Sequence, residues 1–362
     1  MVLHHASPGA GNAGARRDTA LGAALNYHAP SWLPGGDLQT IYAARSPAMP
    51  RVQYRRESWD TPDGDFIDLD WIAGRAGRPL VALFHGLEGC AQSHYALALM
   101  AALERHGWNG VVVHFRGCGG QPNRKLRAYH SGDAAEIDWV LRRLRERHAE
   151  PLFAAGVSLG GNALLKWLGE QGGKAHDVVM GAAAVSAPMD LAAGGHALGR
   201  GFNMVYTRMF LATLKRKSLV KLRQFPGAFD EQALRRARTL YEFDNVVTAP
   251  LHGFRDTDDY WARASSKPGL NNIRVPTLVL NARNDPFVPA PSLPTPADVP
   301  DSVTLEQPAQ GGHCGFVSRT LPRQPQLAAA SVDRAFRDRA GAAARPRYCE
   351  RPAAATRLRP GP

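Results

Sequence analysis

The chain has 362 residues, of which 44% are hydrophobic and 21% are charged, and its formal net charge is +12. This length suits one large α/β domain with insertions or two smaller domains. No stretch approaches the roughly 18 unbroken apolar residues that a membrane-spanning helix needs, and residues 1–25 lack the continuous apolar block of a secretory signal. We therefore expect a cytoplasmic protein in which residues 1–26 form a flexible tail.

The excess of positive charge suggests nucleic-acid binding, but its distribution argues against that function. Half of the excess lies between Arg323 and Pro362, a segment with nine arginines and three acidic residues. A Pro/Ala/Arg-rich composition is typical of a solvated, disordered tail, and no nucleic-acid-binding motif is recognisable. We predict disorder over residues 321–362 and no nucleic-acid partner.

The predicted elements are an antiparallel pair of strands followed by alternating strands and helices. Residues 51–59 and 66–71 alternate as an antiparallel strand pair with a turn at 61–64. The sequence then predicts strands over 79–84, 110–115, 152–157, 178–186, 277–281 and 303–305, and helices over 93–106, 131–148 and 160–170. Continuous apolar strands are typical of a parallel sheet that is buried on both faces. The predicted fold class is therefore α/β, with a doubly wound, mostly parallel sheet flanked by helices.

The alternation of strands and helices lapses between Pro188 and Pro268. This stretch is basic and amphipathic, and the pattern favours helices there, including 202–214 and 231–241. An insertion just after a strand lies over the C-terminal edge of the sheet, where it can contribute to a binding site. We predict a helical cap over residues 189–268, within a domain that spans residues 27–320.

A G-x-S-x-G pentapeptide, Gly156 to Gly160, lies directly between a predicted strand and a predicted helix. This arrangement is typical of a nucleophile elbow, a sharp turn that exposes the Oγ of the central serine. The glycines remove side chains that would collide at the turn, and the N-terminus of the following helix favours negative charge beside it. We identify Ser158 as the candidate nucleophile.

A serine hydroxyl is a weak nucleophile, and it needs a nearby base that a carboxylate orients. Asp285 follows the strand at 277–281, and His313 follows the strand at 303–305. Both positions lie at the C-terminal ends of strands, where open α/β sheets gather their active sites. Ser158, Asp285 and His313 also occur in the chain order that the α/β-hydrolase fold requires. We predict that they form a catalytic triad.

An acyl-transfer site also needs backbone N–H donors for the oxyanion of the tetrahedral intermediate. One donor comes from the residue after the nucleophile and the other from an earlier loop. The sequence His85-Gly86-Leu87-Glu88-Gly89 follows the strand at 79–84. We assign the oxyanion hole to the backbone N–H groups of Leu87 and Leu159.

Several motifs together resemble the YheT-type α/β-hydrolases, which are related to the eukaryotic abhydrolase-domain esterases. The likeness extends from about Tyr27 to Arg319. The motifs that carry it are Trp32-Leu33-Pro34-Gly35-Gly36 with Gln39-Thr40, the 85–89 loop, Phe115-Arg116-Gly117-Cys118-Gly119-Gly120, Tyr129-His130-Ser131-Gly132, residues 156–162, Tyr241-Glu242-Phe243-Asp244, and the loops of Asp285 and His313.

The resemblance implies an α/β-hydrolase fold and a serine carboxylesterase or lipase-like enzyme. It implies action on small-molecule esters of short to medium acyl length, acylglycerols among them, with no metal or organic cofactor, and it is compatible with contact with a lipid surface. The sequence departs from the family after His313. Members continue into a Trp-containing helix that closes the sheet, and a frameshift near Arg323 is one hypothesis for its loss. If that hypothesis is right, the terminal helix is absent and apolar surface of the sheet is left uncovered.

Two alternatives stay open at this stage. An acyltransferase would use the same triad but pass the acyl group to an alcohol instead of water. A non-catalytic binding protein of hydrolase shape would keep the fold and lose turnover. The oligomeric state is not predicted.

Overall fold

The structure is a computed structural model that describes residues 27–45, 49–317 and 327–344. Its centre is one eight-stranded sheet with the order β1-β2-β4-β3-β5-β6-β7-β8. The strands are β1 (Arg55–Asp60), β2 (Phe66–Ile72), β3 (Leu80–Phe84), β4 (Asn109–Val113), β5 (Leu152–Val157), β6 (Gly181–Val185), β7 (Thr277–Leu280) and β8 (Val303–Glu306). The contacts of β2 with β1 and with β4 are antiparallel, and all other neighbours are parallel. The predicted fold class is confirmed.

Helices cover both faces of this sheet. They are α1 (Gly36–Arg45), α2 (His94–His106), α3 (Ala134–Arg147), α4 (Leu159–Gln171), α5 (Leu191–Leu198), α6 (Met204–Gln224), α7 (Glu231–Arg236), α8 (Leu240–Phe243), α9 (Ala249–Leu251), α10 (Thr257–Ala264) and α11 (Leu327–Ala344). A π-helical turn, Asp244–Thr248, joins α8 to α9. The central strands β3, β5 and β6 are buried along their whole length, as their continuous apolar sequences predicted.

Two sequence signals set the ends of the helices that flank the site. The Asp133 side chain accepts a hydrogen bond from the Glu136 N–H and caps α3, and Gly107 ends α2 in the left-handed conformation. The predicted helix that began at Ser131 therefore starts at Ala134, because residues 131–133 form the turn that leads into the cap. Only Gly107 and Trp108 separate α2 from β4, whereas residues 114–133 form a long loop between β4 and α3.

Helices α5 to α10 all lie between β6 and β7, within the segment predicted to form a cap. We call residues 189–268 the cap. The cap has its own apolar clusters, one around Trp261 and Tyr260 and another around Leu211, Leu234 and Phe243. Its side chains face the C-terminal ends of the strands, so they form one wall of the cavity described below.

The predicted disorder over residues 321–362 is wrong for residues 327–344, which form α11. Ala329, Val332 and Phe336 recur at helical spacing and are buried against α2 and the sheet, and the Phe336 ring stacks on Phe153 with centroids 4.8 Å apart. The structure also has a helix in the region where the frameshift hypothesis implies that none remains. The tail predicted at residues 1–26 and the rest of the 321–362 tail lie outside the described residues.

The described helices include none with the length and apolar character needed to cross a membrane.

Candidate active site

Ser158 occupies the sharp turn between β5 and α4. Its φ of 53° and ψ of −119° are unusual for a residue other than glycine, and they lift the side chain out of the sheet. The flanking glycines are required sterically. A Cβ at Gly160 would lie 2.4 Å from the carbonyl oxygen of Phe84, and one at Gly156 would lie 2.5 Å from the carbonyl oxygen of Gly160. The pentapeptide therefore folds as its spacing predicted.

The structure brings the three residues predicted as a triad into contact. His313 Nε2 lies 3.0 Å from Ser158 Oγ, and His313 Nδ1 lies 2.9 Å from Oδ2 and 3.1 Å from Oδ1 of Asp285. Because a carboxylate can only accept, Nδ1 carries the proton and Nε2 of the neutral ring is left to accept from the serine. This is the geometry that a serine nucleophile needs from its base.

The carboxylate of Asp285 is fixed from several directions. Its side chain is fully buried, and Oδ1 also accepts hydrogen bonds from the backbone N–H groups of Phe287 and Val288. Burial is the largest single influence and lowers the pKa of His313, but the charge and hydrogen bond of Asp285, together with the neighbouring Cys314, raise it by more in total, so its pKa lies above the ordinary value of 6.5. The pair therefore stabilises the protonated imidazole.

A polar face of α1 positions the loop that carries His313. The Thr40 hydroxyl accepts from the His313 N–H at 2.8 Å, and the side-chain Oε1 of Gln39 accepts from the Gly311 N–H at 2.8 Å. The same Gln39 oxygen accepts from Asn284, the neighbour of Asp285. One short helix thus ties both loops together. In the sequence, Gln39-Thr40 stands out only as part of the family resemblance. No local pattern indicates that these side chains bind loops more than 240 residues away.

The loop after β3 approaches Ser158, since a Cβ at Gly86 would lie 3.1 Å from the Cβ of Ser158 and Leu87 lines the same cavity. The N–H groups on either side of Leu87 are occupied, since Gly86 donates to the Tyr95 hydroxyl and Glu88 donates to the Tyr129 hydroxyl, each at 2.9 Å. Among the described residues, the Leu87 N–H has no partner, and neither does the N–H of Leu159 at the start of α4. Two donors are therefore left available beside the serine.

Buried histidines hold the neighbouring loops without being charged. His85 Nδ1 donates to the Gly86 carbonyl, and Nε2 accepts from the Phe115 N–H. Burial lowers the pKa of His85 to about 3 and that of His94, which contacts the Cys314 carbonyl, to about 4. Both rings are neutral structural groups, and neither competes with His313 as a base.

Asn162 joins α4 to the end of the cap. Its amide donates to the Ser131 carbonyl at 2.8 Å and to the Ala264 carbonyl at 2.9 Å, and its oxygen accepts from the Ser266 N–H at 3.0 Å. The side chain is completely buried. It therefore fixes the cap relative to the helix that begins at the nucleophile.

A cavity of about 350 Å³ opens onto Ser158 and His313. Many apolar side chains of the cap line it, and they include Leu191, Leu198, Phe210, Leu214, Phe229, Leu240, Phe243, Val247, Leu251 and Trp261. Cationic and polar groups, among them Arg116, Lys217 and Lys221, lie along another part of the wall. Such a cavity can accommodate an apolar chain next to a polar group.

The chain is similar in sequence to a family model and to two known proteins. A family model described as the alpha/beta hydrolase fold matches residues 79–320. YheT of Escherichia coli (strain K12), whose esterase assignment is itself provisional, is 42% identical over 275 residues, which are 74% of this chain and 80% of YheT. Phospholipase ABHD3 of Mus musculus is 32% identical over 309 residues, 82% of this chain and 75% of that protein.

A solved structure agrees on the fold. The esterase Pf2001 of Pyrococcus furiosus superimposes with a TM-score of 0.51 at 16% identity, covering 79% of this chain and 91% of that chain. The resemblance to the YheT-type hydrolases that the motifs predicted is confirmed by the sequence matches.

Proposed function

This chain belongs to the α/β-hydrolase family, and we propose that it is a serine hydrolase that cleaves carboxylic esters of short to medium acyl length. The observation that carries the proposal is the 3.0 Å separation between Ser158 Oγ and His313 Nε2, with Asp285 on the far side of the imidazole. A histidine placed between a serine and a carboxylate can take the serine proton and so activate the hydroxyl as a nucleophile.

In the proposed reaction, Ser158 Oγ attacks the ester carbonyl carbon while His313 Nε2 takes the hydroxyl proton. The N–H groups of Leu87 and Leu159 hold the negatively charged oxygen of the tetrahedral intermediate. The imidazolium then gives its proton to the leaving alcohol as the bond to that alcohol breaks. A water molecule, deprotonated by His313, cleaves the acyl-enzyme and regenerates Ser158. Asp285 stays ionised and stabilises the imidazolium in both steps.

The shape of the cavity supports an acyl chain as the buried part of the substrate. Its apolar wall belongs to the cap and lies beside Ser158, so an acyl group can be held there with its carbonyl next to the two free N–H groups. The names of the relatives, an esterase and a phospholipase, support ester substrates with a lipid-like acyl part. Acylglycerols belong to this class.

The test combines active-site labelling with turnover. Wild-type protein should react with a fluorophosphonate probe at Ser158 and hydrolyse p-nitrophenyl esters in a series from acetyl to palmitoyl, with a maximum at short or medium length. Ser158→Ala should lose labelling and about 10⁴-fold or more in kcat. Ser302→Ala is the matched control. It removes a hydroxyl that donates to the Ile273 carbonyl at the N-terminal end of β8, and it should keep both the labelling and the turnover.

Retained turnover in Ser158→Ala would contradict the proposed nucleophile. Product analysis in the presence of an added alcohol separates the two acyl-enzyme fates. Ester formation that exceeds hydrolysis would assign the chain to acyl transfer.

A further inference from the structure

The outer face of α6 exposes large apolar side chains to solvent. Among the described residues, the exposed large hydrophobic side chains are Trp32, Leu38, Phe202, Val205 and Met209. Three of these belong to the start of α6 or to the 3-10 turn before it, where Phe202 is 56% and Met209 60% exposed. Leu38 lies on α1, which contacts α6 through the hydrogen bond from the Tyr206 hydroxyl to Asp37. The exposed apolar surface is therefore concentrated in one region.

The helical period separates this surface from the lining of the cavity. With 3.6 residues per turn, Val205, Met209 and Ala212 share one face of α6, and all three are exposed. Phe210 and Leu214 lie on the opposite face and line the cavity. The apolar stripe on the outer face is thus not a part of the substrate cavity. We call Phe202, Val205, Met209 and Leu38 the outer patch.

The stretch of sequence that contains most of the outer patch is basic, although Lys217 and Lys221 face the cavity and Asp37 lies beside Leu38. Between Asp190 and Asp230 there is no acidic residue, whereas seven lysines and arginines occur there: Arg200, Arg208, Lys215, Arg216, Lys217, Lys221 and Arg223. Arg200 and Arg208 flank the outer patch, are exposed, and form no ion pair among the described residues. An apolar stripe flanked by cations is the pattern of a helix that lies in a membrane interface.

The outer patch is attached to the loops of the candidate triad. Asn203 Nδ2 donates to the Pro286 carbonyl at 2.6 Å, next to Asp285. The ring of Tyr206 contacts Phe202 on one side and Phe287 on the other, with centroids 6.0 and 4.8 Å apart. Phe287 in turn lies 4.2 Å from the His313 ring. A surface that binds the outer patch is therefore held close to the catalytic cavity.

We propose that the outer patch, together with Arg200 and Arg208, docks on an anionic lipid surface. Apolar side chains enter the boundary between headgroups and acyl chains, and the two guanidinium groups bind lipid phosphates. The outer patch has only four apolar side chains, from α6, the turn before it and α1, and it is smaller than the roughly 800 Å² per partner that a stable protein interface buries, whereas a lipid surface can accept a patch of this size. This docking does not depend on the proposed catalytic activity, although it would place the cavity beside lipid esters.

The test measures co-sedimentation of the full chain with vesicles, in the Ser158→Ala background so that turnover cannot alter the lipid. Two vesicle compositions are compared, pure phosphatidylcholine and phosphatidylcholine with 30% phosphatidylglycerol. We expect binding to the anionic vesicles, at least tenfold weaker binding to the neutral ones, and loss of binding at high salt. Failure of this binding leaves the labelling test of Ser158 unaffected, so the two proposals are separable.

Matched variants identify the surface that binds. Phe202→Ser with Met209→Ser should weaken vesicle binding at least tenfold, whereas Phe202→Leu with Met209→Leu keeps the apolar stripe and should bind like the parent. Arg200→Gln with Arg208→Gln should weaken binding about tenfold. Arg78→Gln with Arg105→Gln removes the same charge from an exposed region elsewhere and should have little effect. Thermal melting of each variant verifies that it is folded.

Three results would overturn the proposal. One is the absence of binding to anionic vesicles. Another is equal binding by the serine variant and the leucine variant, which would exclude the outer patch. A third is a dimer of the parent protein that the serine variant converts to a monomer, because the patch would then bind a second copy of the chain.

Discussion

Lys217 of the cap forms an ion pair with Glu88 in the loop that carries the candidate oxyanion donor. Lys217 Nζ lies 2.9 Å from Glu88 Oε1, and the Tyr129 hydroxyl donates to the same oxygen at 2.8 Å. The Glu88 side chain is only 7% exposed, and its backbone has a φ of 55°, which is uncommon for a residue with a side chain. A cap residue thus helps to hold the backbone directly after Leu87.

Replacement of Lys217 with Met should therefore impair catalysis. Without the ammonium group the buried carboxylate keeps a single neutral donor, so Glu88 and the adjacent Leu87 N–H can move out of position. Loss of one oxyanion donor lowers kcat by about 10² to 10³, and for a displaced donor we expect a fall of about tenfold in kcat with little change in KM. The loss of stability should be small, about 1 kcal/mol, because Lys217 is 39% exposed and solvent screens the pair.

The control for this change is Arg235→Met, which breaks the exposed pair with Glu231 on α7 in the same cap. Exposed i,i+4 pairs contribute only a few tenths of a kcal/mol, so kcat should not change. Steady-state kinetics on a p-nitrophenyl ester and urea unfolding measure both effects. Equal kinetics for the two variants would show that Lys217 does not act on the oxyanion loop.

The contact between Asp285 and His313 predicts the pH dependence of turnover. His313 must be neutral to accept the serine proton, and its pKa in the folded protein lies above 6.5 because the combined effects of Asp285 and Cys314 exceed the lowering effect of burial. In the wild type, kcat/KM should rise with pH through a pKa above 6.5. In Asp285→Asn the raising effect of the carboxylate is lost while burial still lowers the pKa of His313, so the rise of kcat/KM should move to lower pH while the maximal rate falls by about 10⁴. If kcat/KM of Asp285→Asn rises at the same pH as in the wild type, the assignment of Asp285 as the partner of His313 is contradicted.

The same pair predicts a pH dependence of stability. Because the folded pKa of His313 exceeds its unfolded value, the contribution of the pair is fully present below about pH 6.5 and is lost as the pH rises through the folded pKa. Asp285→Asn should therefore lower the free energy of unfolding more at pH 6 than at pH 9. Urea unfolding at the two pH values measures the difference. A larger loss of unfolding free energy at pH 9 than at pH 6 would contradict the prediction.

Sequence patterns predicted the strands of the sheet but missed α1 and α11. The bounds of β5 were predicted correctly because its apolar run follows a proline and precedes the serine turn. By contrast, α1 was not predicted, since its buried residues are Gln39, Thr40 and Ala43, and they form no apolar stripe. The ion pair of Lys217 with Glu88 joins positions 129 residues apart. No local pattern in the sequence encodes such a contact.

Steric exclusion at the nucleophile turn predicts that Gly160 does not tolerate a methyl group. A Cβ there would lie 2.4 Å from the Phe84 carbonyl oxygen and 2.5 Å from that of His85, and both belong to backbone that cannot move aside without distorting β3. Gly160→Ala should reduce the free energy of unfolding by about 1–3 kcal/mol and reduce fluorophosphonate labelling of Ser158. Gly173→Ala is the control, because no atom lies within 4 Å of a Cβ at that position. Similar stability of the two variants would rule out the crowding.

The packing of α11 gives the last prediction. Phe336 is almost fully buried, stacks on Phe153 of β5 and belongs to the cluster that covers one face of the sheet. Removing a buried phenylalanine side chain costs about 3–5 kcal/mol, so Phe336→Ala should show this loss in urea unfolding. Asp338→Ala, two residues along at an exposed position of the same helix, should change stability by less than about 0.5 kcal/mol. A disordered tail would make both substitutions neutral, so equal unfolding midpoints for the two variants would remove α11 from the folded domain.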